Sequence, residues 1–326
     1  MNKPLLEIKQ MSTHFYTDEG TVKAVDNVSL SLKEGETLCI VGESGCGKSV
    51  TAMSLMRLVQ EPGGKTVAGE VWFDDKDLLK AGPKDIRHLR GNEIAMIFQE
   101  PMTSLNPVLT VGEQMIEPII EHQLVSRKQA KKQALELIGM VGIARAESIY
   151  DSYPHELSGG MLQRIMIAIA LSCNPRLLVA DEPTTALDVT IQAQILDLLR
   201  KIKEERRTSI LLITHDLGVV AEMADHVVVM YAGQVIEESP VLDLFRNPKH
   251  PYTQGLLRAK PVVNQRKERL YTIPGQVPKL VDLQESCYFS DRCEHCMEIC
   301  RTKQPPMLET GTGHRTACWL YEEGIR

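Results

Sequence analysis

Short apolar runs alternate along the chain with longer segments in which apolar residues recur at helical spacing. The strand-like runs are Thr37–Val41, Ile94–Phe98, Leu177–Asp181, Ser209–Thr214 and His226–Tyr231, and the helical segments are Lys128–Gly139, Gly160–Ser172 and Thr190–Glu205. Such alternation is typical of a mainly parallel sheet covered by helices. We therefore predict an α/β fold with a mainly parallel core and an antiparallel β region near the N-terminus.

The pattern changes twice, and each change predicts a boundary. Between Gln99 and Leu157 the strand-like runs give way to helical patterns, which indicates a helical insert over about residues 100–165. After Pro248 the chain is interrupted by prolines, and five of the eight cysteines follow, from Cys287 to Cys318. We predict one domain over residues 1–245 and a cysteine-rich C-terminal extension over residues 246–326.

Composition narrows the class of partner. The chain has 326 residues, 43% of them apolar, which suits one large domain and a smaller one. Its net charge of −6 provides no overall basic field, so we expect no nucleic-acid partner. No apolar run approaches the length of about 18 residues that a membrane span needs, and the N-terminus lacks a signal-peptide core. We expect a cytoplasmic protein that reaches a membrane only by docking to another protein.

The segment that follows the first apolar run carries the clearest chemical motif. It fits G-x-x-x-x-G-K-[ST] with the residues Gly42, Glu43, Ser44, Gly45, Cys46, Gly47, Lys48 and Ser49, and Val50 follows at the start of a predicted helix. In this strand–loop–helix context, backbone N–H groups and the helix N-terminus bind phosphate. We predict a nucleoside triphosphate site in which Lys48 reaches the β- and γ-phosphates and the Ser49 hydroxyl binds Mg²⁺.

Two further segments supply groups for phosphoryl chemistry. Leu177–Asp181 is an apolar strand that ends in an acid, and a second acid, Glu182, follows it. Asp181 would hold Mg²⁺, and Glu182 would orient and polarise the attacking water. Ser158 is a good N-cap for the helix that starts within Leu157–Arg164, and a helix N-terminus with a free hydroxyl is another anion site.

Together with three further short segments, these motifs resemble, in type and in order, the ATP-binding subunits of ABC transporters. The match covers about residues 5–245: Gly42–Ser49 resembles the Walker A loop, Gln99 the Q-loop residue, Leu157–Gln163 the signature motif, Leu177–Glu182 the Walker B strand, Ala186–Asp188 the D-loop and His215 the switch histidine. The resemblance implies a P-loop NTPase fold that binds ATP and Mg²⁺ and hydrolyses the nucleotide.

The resemblance also implies a mechanism that two subunits share. Two ATP molecules lie between two such subunits, and each nucleotide is contacted by the partner's signature residues, here Ser158, Gly159, Gly160 and Gln163. By the same resemblance, His215 contacts the γ-phosphate, Gln99 contacts Mg²⁺ and the water, and Asp188 lies at the dimer interface. Phe15 or Tyr16 would stack on the adenine, and we favour Phe15.

Two segments resemble a narrower group, the ATPases of oligopeptide and dipeptide importers. They are the extended Q-loop Gln99–Pro107 and the segment His250–Thr253. This resemblance implies an ATPase that powers peptide import at the cytoplasmic face of the membrane, with a second ATPase subunit, two permease subunits and an extracytoplasmic solute-binding protein as partners. An importer of nickel or another solute remains an alternative, as does a soluble ABC ATPase without a transport role.

Cysteines near the C-terminus suggest a metal centre. In relatives with this arrangement four cysteines bind a [4Fe–4S] cluster, and Cys287, Cys293, Cys300 and Cys318 fit that pattern. Four thiolates also suit zinc, and Cys293 with Cys296 makes a zinc-like pair. Unmetallated thiols or a disulfide are the remaining alternatives. Separately, we expect Cys46 in the phosphate loop to react with thiol reagents and ATP to protect it.

Overall fold

The structure, a computed structural model, describes residues 3–185, 187–259, 271–281 and 283–324. The strands are β1 (Leu6–Thr17), β2 (Gly20–Leu32), β3 (Thr37–Val41), β4 (Gly64–Phe73), β5 (Lys76–Asp77), β6 (Ile94–Ile97), β7 (Leu177–Asp181), β8 (Ser209–Thr214), β9 (His226–Tyr231), β10 (Gln234–Pro240), β11 (Leu308–Gly311) and β12 (His314–Thr316).

The helices occupy the segments between these strands. They are α1 (Lys48–Leu55), α2 (Pro83–Leu89), α3 (Pro101–Ser104), α4 (Val111–Gln123), α5 (Arg127–Met140), α6 (Ala146–Tyr150), α7 (Gly159–Ala170), α8 (Val189–Arg206), α9 (Leu217–Met223), α10 (Val241–Arg246) and α11 (Pro251–Ala259). Short 3₁₀ helices lie at Pro154–Glu156, Ser290–Arg292, Glu298–Arg301 and Trp319–Tyr321. Among the described residues, no helix combines the length and the apolar character that crossing a membrane requires.

The chain divides into two compact units. Unit 1 contains residues 1–32, 37–79 and 214–326, and unit 2 contains residues 33–36 and 80–213. The predicted boundary near residue 246 and the predicted insert limits stay predictions, because this division follows spatial contacts rather than order along the chain.

Unit 1 contains an antiparallel sheet in the strand order β2-β1-β4-β5. In β1 the buried positions Leu6, Ile8 and Met11 face the core, and the register pairs Leu6 with Leu32 on one side and with Phe73 on the other. This sheet confirms the antiparallel region that the sequence predicts near the N-terminus.

A second set of strands in unit 1 supports the phosphate loop. Its order is β11-β12-β10-β9-β3, with β3 parallel to β9 and β10 antiparallel to both β9 and β12. All five residues of β3 are buried, which explains why the strand is apolar after Thr37. The phosphate loop, which begins directly after Val41, therefore starts from a strand that is fixed in the core.

Unit 2 contains parallel strands and most of the helices. β7 pairs in parallel with β6 and with β8, through Ile94 with Leu177 and Leu177 with Ser209. Helices α4 and α5 each begin with a capping box, at Thr110 and Ser126, in which the cap hydroxyl and the third helical side chain satisfy two backbone N–H groups. Parallel strands followed by helices confirm the predicted α/β fold.

Candidate functional site

The phosphate loop links β3 to α1 in unit 1, and its shape depends on glycine. Gly47 is the N-cap of α1 with φ 99°, and a Cβ atom there would lie 2.3 Å from the backbone oxygen of Ala24. Because only glycine tolerates both the positive φ and this contact, β2 and the loop can pass this closely. The loop is also tied to the β9–β10 turn, since Gly233 N–H donates to the carbonyl oxygen of Cys46 (3.0 Å).

Lys48 and its neighbours lie where the sequence predicts a phosphate site. The Lys48 ammonium donates to the carbonyl oxygens of Gly42 (2.8 Å) and Glu43 (3.0 Å), and the residue is only 4% exposed. Ser49 and Val50 form the half-buried first turn of α1. The Lys48 ammonium is therefore held over the loop by two neutral carbonyl oxygens. A negatively charged phosphate oxygen is a stronger acceptor and can replace them.

Cys46 is buried in the phosphate loop. The residue is 0% exposed, and burial raises the pKa of its thiol. Its Sγ lies 2.7 Å from the position of a Cβ on Gly42, so the side chain is packed inside the loop. Burial and the raised pKa both oppose the expected reaction with thiol reagents, because a thiol reacts as an accessible thiolate, and that reaction stays a prediction.

Three more candidate residues belong to unit 1: His215, Phe15 and Tyr16. His215 is exposed and directly follows β8. Phe15 is half-buried and packs against Gly64, where a Cβ would lie 2.6 Å from the ring, whereas Tyr16 is 52% exposed. The choice of the adenine-stacking ring stays a prediction.

In unit 2 the end of β7 brings Asp181, Glu182 and Gln99 into one neighbourhood. Asp181 is the last residue of β7 and is 4% exposed. The amide nitrogen of Gln99 donates to the Glu182 carboxylate (3.2 Å), and the Thr185 hydroxyl donates to the same oxygen (2.8 Å). Glu182 has φ 47°, a left-handed conformation that turns the chain sharply away from the strand. The predicted Q-loop residue and the predicted catalytic acid therefore touch.

The signature segment opens α7 as predicted. The Ser158 hydroxyl accepts from Met161 N–H (3.4 Å) and caps the helix. Gly159 has open space around it, while a Cβ on Gly160 would come within 3.2 Å of Ile191 in α8. Ser158 thus stands at an N-terminus whose first two helical residues carry no side chain.

Two residues near the signature helix complete the predicted set in unit 2. Gln163 is 2% exposed, and its side-chain nitrogen has no hydrogen-bond partner among the described residues. Asp188 is the N-cap of α8, where its carboxylate accepts from Ile191 N–H (2.9 Å). Ala186 of the predicted D-loop lies outside the described residues.

The four predicted cluster cysteines lie together. Cys287, Cys293, Cys300 and Cys318 line one small cavity in unit 1, and all four are free thiols. Burial, and to a smaller extent the neighbouring thiols, raise the pKa of Cys287 to about 12 and that of Cys318 to about 11. The thiols of Cys287 and Cys318 are therefore neutral at physiological pH unless a cation compensates the charge of the thiolates.

The cavity carries no assembled metal site. Among the described residues, no group of three or more His, Cys, Asp or Glu side chains is positioned to hold a metal ion. Cys296 is half-buried and is not among the residues that line the cavity. The donor set suits a soft metal centre, but its arrangement is not that of a formed one.

Comparison with known proteins identifies the scaffold. The family model described as ABC transporter matches residues 25–185, and the model described as oligopeptide/dipeptide transporter, C-terminal region, matches residues 236–300. The chain is 54% identical over 319 residues to the oligopeptide transport ATP-binding protein AppD of Bacillus subtilis. The matched region covers 98% of this chain and 97% of that protein. The chain belongs to the ABC transporter ATP-binding family.

Further relatives of this ABC ATPase support the same placement. The dipeptide transport ATP-binding protein DppD of Haemophilus influenzae is 49% identical over 94% of this chain and 93% of its own length. Among solved structures, the ATP-binding cassette MJ0796, a dimer in a post-hydrolysis state bound to ADP and Pi, is 31% identical. It matches with a TM-score of 0.66 over 72% of this chain and 98% of that one.

Proposed function

We propose that this ABC ATPase powers the import of di- or oligopeptides as one of two ATP-binding subunits of a membrane transporter. The observation that carries the proposal is that the likeness to peptide-transport proteins continues past the cassette, through residues 236–300 and over 98% of the chain. Its partners are a second ATPase subunit, two permease subunits and an extracytoplasmic solute-binding protein, and it works peripherally at the cytoplasmic face of the membrane.

Within this proposal the residues of the phosphate loop, of β7 and of the Q-loop have separate roles in ATP hydrolysis. Lys48 leaves its two carbonyl acceptors to bind the β- and γ-phosphates, and Ser49, Asp181 and Gln99 hold Mg²⁺. Glu182 orients and polarises the attacking water. The hydrogen bond between Gln99 and Glu182 supports a direct link, because any movement of the Q-loop residue then changes the position of the catalytic acid.

A second copy or a homologue completes each ATP site. Ser158, Gly159 and Gly160 form a bare helix N-terminus that suits the γ-phosphate of a nucleotide bound by the partner. Next to Asp188, the apolar side chain of Val189 is 84% exposed and would be covered if this segment lies in a dimer interface. His215, like Lys48, contacts the γ-phosphate of the nucleotide bound by its own chain.

Exposed apolar side chains near Gln99 support docking to the permease subunits. Phe98 is 40% exposed, Met102 63% and Val108 75%, all in or next to the extended Q-loop. Three such side chains within eleven positions are the kind of surface that a partner covers. The same surface would serve a transporter of nickel or another solute, so the solute itself must be tested.

The experiment uses the ATPase co-purified with its permease partners and reconstituted with the solute-binding protein. We expect di- or oligopeptides, and not nickel, to stimulate ATP hydrolysis and to be taken up. Glu182→Gln should bind ATP but reduce turnover by about 100-fold or more, whereas the surface control Asp197→Asn on α8 should behave as wild type. Stimulation by nickel alone would replace the peptide assignment, and normal turnover of Glu182→Gln would refute the role of that residue.

We also propose that Cys287, Cys293, Cys300 and Cys318 bind a [4Fe–4S] cluster, with zinc as the alternative. The shared cavity and the absence of disulfides among these described residues support it. A cluster would supply cationic iron that stabilises buried thiolates, and ATP hydrolysis does not require its electrons. Protein purified without oxygen should carry about four iron atoms per chain and absorb near 400 nm. Cys293→Ser should lose both and Cys173→Ser neither; one zinc per chain and no colour would establish the alternative.

A further inference from the structure

Glu43, the second residue of the phosphate loop, is held from outside the loop by the C-terminal segment. Its carboxylate accepts two hydrogen bonds from the guanidinium of Arg292, at 2.7 and 3.1 Å. Its backbone N–H donates to the hydroxyl of Tyr252 (2.8 Å). Arg292 therefore binds the side chain of Glu43, and Tyr252 binds its backbone, although both lie far from it along the chain.

Contacts other than the one to Glu43 also hold the Arg292 guanidinium in place. Its side chain is only 5% exposed, its Nε donates to the carbonyl oxygen of Pro274 (2.8 Å), and one terminal nitrogen also donates to the Tyr231 hydroxyl (3.3 Å). Planar two-point recognition of a carboxylate fixes direction as well as distance. Because Arg292 directly precedes Cys293, the position of this guanidinium also depends on how the cysteine cavity is packed.

Tyr252 is fixed by aromatic packing. It is 0% exposed, and its ring lies 4.7 Å from the ring of Tyr231 and 5.5 Å from that of Phe289. Such tightly packed rings have little rotamer freedom, so the Tyr252 hydroxyl stays at one point beneath the loop.

The inner side of Glu43 belongs to the nucleotide site. Its carbonyl oxygen accepts from the Lys48 ammonium (3.0 Å) and from Cys46 N–H (3.3 Å). When Lys48 turns to a phosphate, the loop loses the two hydrogen bonds from its ammonium to Gly42 and Glu43, while the outer contacts to Tyr252 and Arg292 can remain. A loop that is already held in its binding conformation loses less entropy when a nucleotide binds.

We propose that Arg292 and Tyr252 are positioning residues of the ATP site, which act through Glu43 to keep the phosphate loop ready for nucleotide. The C-terminal segment thereby sets ATP affinity without touching ATP. This inference rests on the proposed ATP site at Gly42–Ser49, and the experiment below includes a variant that tests that site separately.

The test titrates a fluorescent ATP analogue into the full-length chain and follows thermal unfolding of the same samples. We expect Arg292→Met to raise the Kd about tenfold and Tyr252→Phe about threefold, within the range usual for coupling between sites. Arg292→Lys should recover only part of the affinity, because an ammonium cannot make the two-point contact. The matched control is Arg315→Met, which breaks the ion pair of Arg315 with Glu238 in the same segment but away from the loop.

A double-mutant cycle decides whether Glu43 carries the effect. Glu43→Gln should raise the Kd about as much as Arg292→Met, and the double variant should be no weaker than either single one. If Arg292→Met is too unstable to assay, Tyr252→Phe and Glu43→Gln give the same answer. Kd values equal to that of Arg315→Met, or fully additive effects, overturn the proposal. Unchanged binding by Lys48→Ala would instead mean that the ATP site itself is wrongly assigned.

Discussion

A buried carboxylate, Glu237 in β10, anchors the start of the C-terminal segment, and neutralising it should loosen that anchor. The residue is 0% exposed, and it accepts from the backbone N–H groups of Lys249 (2.6 Å) and His250 (2.9 Å) and from the His314 ring (2.7 Å). Burial alone would raise its pKa, but these donors outweigh burial and lower it. Glu237 is therefore a fully bonded carboxylate at neutral pH.

Replacing Glu237 by Gln changes one contact in particular. The amide oxygen can keep the bonds that Lys249 and His314 make to Oε1, but the NH₂ group then faces the N–H of His250, which donates to Oε2. One charge-assisted hydrogen bond is lost and one buried donor is left unpaired, at a cost of about 2–3 kcal/mol. Converted at 1.4 kcal/mol per factor of ten, this is about a 30- to 140-fold increase in local opening.

Amide hydrogen exchange of the full-length chain measures that opening directly. In Glu237→Gln the amides of Lys249 and His250 should exchange about 30- to 140-fold faster than in wild type at the same pH. The neighbouring substitution Glu238→Gln is the control. It removes only the ion pair of Glu238 with Arg315, so it should change the exchange rates by less than about threefold. Equal exchange rates in both variants would refute the reasoning about the buried carboxylate.

Three more predictions follow from burial and crowding. Iodoacetamide should alkylate Cys46 in the native protein more slowly than it alkylates half-buried Cys173, as measured by mass spectrometry, and equal rates would contradict the packing of the loop. Burial lowers the pKa of His250 to about 4 from 6.5, so the unfolded chain binds a proton that the folded chain excludes. The free energy of unfolding, measured in urea, should therefore fall as pH drops from 6.5 to 4, and a pH slope unchanged in His250→Asn would exclude this cause. Gly47→Ala should abolish binding of a fluorescent ATP analogue, because the new Cβ would lie 2.3 Å from a backbone oxygen. Gly45→Ala should only weaken binding, because a Cβ at that position would have no atom within 4 Å. Similar losses of affinity in the two variants would show that the strain of the positive φ alone matters.

Uniform burial made the central strands predictable. β3 and β7 agree residue for residue with the predicted runs because every position in them is buried, so apolar residues fill both strands except at Thr37 and Asp181. The ends of strands are harder to predict from the sequence, because the residues there are no longer buried. The run Ile94–Phe98 extends one residue past the end of β6, and Phe98 is 40% exposed. Ser158 was predictable as an N-cap because capping is a local interaction.

Long-range contacts could not be predicted in this way. Nothing in the sequence connects Arg292 with its partner Glu43, which lies 249 positions away at a variable position of the loop motif. The burial of Cys46 was missed for the same reason, since the loop that holds it is bound to the distant β9–β10 turn, where Gly233 N–H donates to the carbonyl oxygen of Cys46. The meeting of Gln99 with Glu182 likewise depends on folding and not on spacing.

The distance along the chain between Glu43 and Arg292 has a consequence for synthesis. The ribosome makes the phosphate loop early, but the guanidinium that grips it emerges 249 residues later. At about 5–20 residues per second, that delay is roughly 12–50 s. During this interval a nascent chain already contains Gly42–Ser49 without the outer support of that loop. With Arg292 as the proposed support of the loop, the ATP site becomes fully competent only after that later segment has been translated, so a chain that stops before Arg292 would compete poorly for nucleotide.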